Sequence, residues 1–195
     1  MCKSFFLQSD EVNRKNVIKP KHKDLKQKLL IYYHNASGMR SKLLQFSKNA
    51  NISIYDVIII TETNFQADIT NCEIHLPYHN IFRVDRDLTN TSKSCGGGVL
   101  IAVSKLYNCQ LIHTYSRLDE IYVLLSVNAI DYILGAVYIP PNSPIEIYSI
   151  HCDIVDKLCL EHPNTSFLIC GDFNRPAVEW NKSDYGFEVA YKREL

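Results

Sequence analysis

With 195 residues, 46% of them hydrophobic and 22% charged, the chain has the size and apolar content of one globular domain, which excludes a disordered or collagen-like segment. Its longest apolar runs, 56–60 and 98–103, fall far short of the ~20 residues that span a bilayer, and Met1–Leu7 is too short for a secretion signal. These features predict a soluble, intracellular protein with no membrane partner and no obligate protein partner.

The formal charge is zero but uneven: residues 1–28 hold eight Lys/Arg against three Asp/Glu, so the remainder is acidic, with thirteen against eighteen. An acidic body argues against tight non-specific nucleic-acid binding, which rests on phosphate neutralisation, and fits a site that gathers carboxylates around a cation. Seven cysteines at 2, 72, 95, 109, 152, 159 and 170 form no Cys-x-x-Cys pair, so neither a disulfide framework nor a zinc site is expected.

In chain order, residues 1–28 read as a flexible basic lead-in, with a nucleic-acid-binding arm as the second reading. Leu29–His34 is a β-rich run, and Met39, Leu43, Phe46 and Ala50 then follow at helical spacing. Tyr55–Ile60 is a continuous β-branched run of the kind buried on both faces. Further strands are expected at about 79–84, 97–103, 109–115, 121–128 and 131–139, with a turn at Asn128–Asp131. Ser143-Pro144-Ile145-Glu146 predicts a helix with Ser143 as N-cap and Pro144 at the first helical position, running to about Leu160 before His162-Pro163. A last buried strand, Ser166–Cys170, leads into Gly171-Asp172-Phe173-Asn174.

Three polar clusters each lie at the carboxyl end of an expected strand, where α/β sheets present ligand sites: His34-Asn35, Thr61-Glu62-Thr63 and Gly171–Asn174. Tyr138, before Pro140-Pro141, ends another. Singly, each has an ordinary reading. Glu62 could be a strand's surfacing residue, Asn35 a helix cap, Asp172 and Asn174 an Asx-turn pair, and Tyr138 sheet packing. Their joint occurrence at successive strand ends is what favours a site. Gly96-Gly97-Gly98 lacks the Gly-Lys-Ser/Thr ending of a phosphate-binding loop and reads as a close-packed turn into a strand.

The ordered blocks Asn35 with Gly38–Lys42, Tyr55–Thr63, Phe82–Arg86, Gly96–Val103, Val137–Pro141 and Leu168–Asn174, spanning about residues 29–180, resemble the endonuclease/exonuclease/phosphatase superfamily. The triple glycine, the Tyr-x-Pro-Pro form and Trp180 are most similar to the endonucleases of jockey-like non-LTR retrotransposons. The resemblance implies an α/β four-layer sandwich of two mixed, largely antiparallel sheets flanked by helices, over 29–195. It implies a metal-dependent phosphodiesterase of endonuclease type acting on DNA, as in retrotransposon target-site nicking. Glu62 would ligate Mg²⁺ or Mn²⁺, with Asn35 helping to place ion and phosphate. Asp172 would orient or deprotonate the attacking water, Asn174 would hydrogen-bond the phosphate region, and Tyr138 would donate to a phosphate oxygen. Arg86 would meet the nucleic-acid backbone.

The superfamily's last motif, Ser-Asp-His on a late strand, has no counterpart, since no His follows His162. Ser183-Asp184-Tyr185 reads as a chance likeness. The expectation is a domain incomplete at its C-terminal side and weakly active or inactive as it stands. The alternatives are a catalytically dead remnant or binding module, and an inositol-phosphate or sphingomyelin hydrolase with the same metal site.

Overall fold

The computed structural model describes residues 29–52, 54–85, 96–115, 118–175, 178–183 and 186–191. The basic segment 1–28 and Arg86, expected at the nucleic-acid backbone, lie outside them.

The β-rich run after Lys28 forms β1 (Ile31–Asn35), and a 3₁₀ turn at Arg40–Lys42 opens α1 (Leu43–Ile52). The β-branched run forms β2 (Val57–Thr61), every residue of which is buried. β3 (His79–Val84) and β4 (Val99–Ser104) complete a sheet of order β1-β2-β4-β3, with β1 and β2 parallel and the other pairs antiparallel. A second sheet holds β5 (Asn108–Tyr115), β6 (Glu120–Val127), β7 (Ile130–Tyr138) and β8 (Ser166–Asp172) in sequence order. In it the β7–β8 pair is parallel, with α2 (Ile145–Glu161) as its crossover. Asn128 and Ala129 turn β6 into β7 at φ of 51° and 62°, the left-handed pair a tight hairpin needs.

Alternation sorts the strands into layers. Val57 and Ile59 of β2 and Val99, Ile101 and Val103 of β4 face Ile121, Val123, Leu125, Leu134 and Ala136 of the second sheet, forming the central core. The opposite faces bury Ile58, Ile60, Leu100 and Ala102 beneath the α1 side, and Tyr122 and Ile133 beneath Leu158 of α2. The result is the four-layer sandwich expected of the sequence, helix on sheet on sheet on helix.

Two local expectations are corrected. Ser143 does not cap α2: Pro144 holds the N-cap position with extended backbone and no side-chain cap bond. The Ser143 hydroxyl instead donates to the Pro140 carbonyl at 2.7 Å, closing the turn that enters the helix. β8 is not buried on both faces, because it is the edge strand of its sheet and alternates exposed with half-buried residues from Ser166 to Ile169. The sequence reading also missed β9 (Val178–Ser183) and β10 (Gly186–Tyr191), an antiparallel hairpin with Ser183 opposite Gly186 at its tip. Among the described residues no helix is long and apolar enough to cross a membrane, and the five cysteines there form no disulfide.

Candidate active site

Each sheet contributes one parallel β-α-β unit, β1-α1-β2 and β7-α2-β8, and the two units present their strand carboxyl ends side by side. Asn35 and Thr61 pair at the end of the first, Tyr138 and Asp172 at the end of the second. Chain direction alone therefore brings Asn35, Glu62, Asp172 and Asn174 to one rim.

The loop after β2 is fixed by backbone bonds on two sides. Gly38 N–H donates to the Glu62 carbonyl at 2.8 Å and Met39 N–H to that of Thr63 at 2.9 Å. From the other side, Thr63 and Asn64 donate to the carbonyls of Gly98 and Gly97, and Asn64 Oδ1 accepts from Gly96 N–H. The three glycines run at φ of 89°, 82° and 80°, a left-handed path that side chains rarely adopt. Held this way, Glu62 itself takes φ 54°, a strained conformation for a glutamate and one common at functional sites.

Asn35 joins the two halves. Its Nδ2 donates to Glu62 Oε1 at 2.8 Å and to Asp172 Oδ2 at 2.7 Å, across 137 positions of sequence. Its Oδ1 accepts from Ser37 N–H at 3.1 Å, which fixes the orientation of the amide. The two carboxylate oxygens thus lie within two hydrogen-bond lengths of each other. Asp172 also accepts from Asn174 N–H at 3.2 Å, and Asn174, at φ 44°, donates through Nδ2 to the Ile139 carbonyl at 2.9 Å. The Asx-turn and the site are thus the same feature. Tyr138 is placed beside Asp172 in register, but its side chain is 6% exposed and packs with the central core.

The sequence reading overlooked Tyr33, whose alternation on β1 looks like ordinary sheet packing. Its hydroxyl shares a 3.2 Å hydrogen bond with Thr61 Oγ1. Burial, opposed in part by that bond, pushes the phenol up to about 12, and the negative charges of Asp172 and Glu62 act in the same direction. It stays protonated beside the carboxylates. His34 is lowered from its ordinary value by burial and then by Lys42, so it favours the neutral imidazole.

Among the described residues neither Glu62 nor Asp172 is in an ion pair, and no group of three or more His, Cys, Asp or Glu converges. Two carboxylates without thiol or imidazole suit a hard divalent cation that keeps several waters, and do not suit zinc.

No protein-family model and no curated protein matches the sequence. Solved structures do match in shape. The endonuclease domain of TRAS1, a telomere-specific non-LTR retrotransposon, superposes with a TM-score of 0.53 at 14% identity, over 78% of this chain and 64% of that one. The human Nocturnin catalytic domain with bound sulfate gives 0.52 at 12% identity, over 75% and 64%. TDP2 from Caenorhabditis elegans gives 0.51 at 17% identity, over 78% and 52%. The chain therefore spans between about half and two thirds of the length of these structures. With two four-stranded mixed sheets, a helix outside each and this shared shape, the chain has the fold of these solved structures, the four-layer sandwich that the resemblance implied.

Proposed function

We propose that this chain is a divalent-metal-dependent phosphodiesterase of endonuclease type that acts on DNA. The observation that carries the reading is the Asn35 amide donating at once to Glu62 and Asp172, which gathers two carboxylates at the ends of strands from both sheets. The likeness to a retrotransposon endonuclease domain supports DNA as the substrate and target-site nicking as the context.

In this proposal Glu62 would hold Mg²⁺ or Mn²⁺, and Asn35 would help to place the ion by fixing the two carboxylates through its Nδ2; the bound ion would stabilise charge on the phosphate and orient water. Asp172, kept in place by Asn35 and by the Asn174 amide, takes the proton from the attacking water. Asn174 spends one Nδ2 proton on Ile139 and has a second for a phosphate oxygen. Tyr138 donates to another phosphate oxygen, a role that Tyr138→Phe tests by removing only the hydroxyl. Arg86 meets the DNA backbone.

The test is nicking of supercoiled plasmid in Mg²⁺ with protein in excess over DNA. Nicking that EDTA, Glu62→Gln and Asp172→Ala each abolish is the expected result. Binding without nicking under all metals would instead favour a binding module.

A further inference from the structure

The segment that carries Asp172 leaves the edge of its sheet, and among the described residues β8 pairs only with β7. Its backbone then enters the left-handed region at Asn174, φ 44°. Asparagine tolerates that region, so what holds the segment is its contacts. The Asn174 contacts to Asp172 and Ile139 supply part of that hold, and α2 supplies the rest. The Tyr148 hydroxyl donates to the Phe173 carbonyl at 2.8 Å, between the two site residues. One turn along, the His151 ring packs on the Phe173 ring with centroids 5.4 Å apart and planes tilted by 54°. His151 is itself held by Glu120 at 3.3 Å through Nδ1, and Glu120, the first residue of β6, is 0% exposed. A buried carboxylate is costly unless it is paired, so this pair fixes the His151 ring firmly against Phe173.

We infer that Tyr148 is a positioning residue for the Asp172–Asn174 segment, with His151, oriented by Glu120, as the second point of contact from α2. The inference rests on the phosphodiesterase reading for what the segment does. Tyr148→Phe isolates it. The ring, which also carries the Arg175 guanidinium 4.9 Å from its centroid, remains, and only the hydroxyl bond to Phe173 is lost.

Two readouts are taken on the full chain. By amide hydrogen exchange, Tyr148→Phe speeds Asn174 about tenfold and leaves the amides of β2 and β4 unchanged, whereas loss of global stability would speed all of them. In single-turnover plasmid nicking the same variant lowers the maximal rate about tenfold with half-saturating DNA unchanged, because the base is misplaced while the DNA contacts stay. Glu120→Gln acts in the same direction by about threefold. Unchanged Asn174 exchange, or faster exchange with an unchanged nicking rate, overturns the inference. If the parent chain neither nicks nor binds DNA, the phosphodiesterase reading falls, and with it the catalytic sense of the positioning. Exchange at Asn174 then still decides whether Tyr148 holds the segment.

Discussion

The Asn35 side chain has two polar ends and uses both, the oxygen for its own turn and the nitrogen for two carboxylates. Its position at a strand end was legible in the sequence. Its bridging role was not, because a bond across 137 residues leaves no local pattern. Replacing it with alanine removes the donor between two like charges, so nicking by Asn35→Ala should fall about a hundredfold in single-turnover assays, a loss typical for a preorganised donor. Tyr33 illustrates the opposite gap, a residue near the site that reads as packing. Its phenol is raised by burial above its ordinary value of 10 to about 12, so the folded state favours the protonated form. The stability this represents is complete below about pH 10 and is lost as pH rises towards 12. Denaturation midpoints measured between pH 9 and 12 should fall more steeply for the parent chain than for Tyr33→Phe.

At the level of elements, the strands from β1 to β8 were readable because β-branched runs and turn residues alternate cleanly, and Val57–Thr61 announced its double burial by lacking any polar alternation. The Ser143 signal misled in one detail. Its hydroxyl donates to the Pro140 carbonyl in the preceding turn, and the helix begins one residue later, with Pro144 at the N-cap. Strand β8 misled in another, since an apolar run does not reveal whether a neighbour lies on its far side. The hairpin of β9 and β10 was missed although Val178 and Trp180, and then Phe187, Val189 and Tyr191, recur at every second position, a short period-two signal interrupted by Lys182. A Cβ at Gly171 would lie 2.6 Å from the Val137 carbonyl oxygen of the neighbouring strand. Gly171→Ala should therefore destabilise the chain by about 1–3 kcal/mol in urea unfolding, by forcing the two strands apart. It should slow nicking further, because Asp172 is the next residue.

For the whole molecule, the decisive feature is that two parallel β-α-β units, one in each sheet, point their carboxyl ends the same way across a shared core. Residue patterning alone pointed to more strands than helices with antiparallel hairpins among them, and the two-sheet sandwich was expected through the resemblance. The convergence of Glu62 and Asp172 could be expected only through the resemblance, since no residue pattern within either unit refers to the other. In the proposed function these two units share one metal–phosphate site, and paramagnetic broadening of assigned amide signals on titration with Mn²⁺ tests it. The amides of Asn35, Glu62 and Asn174 should broaden together, ahead of all others, and Glu62→Gln should abolish the effect. Broadening centred elsewhere, or unchanged in Glu62→Gln, would contradict it.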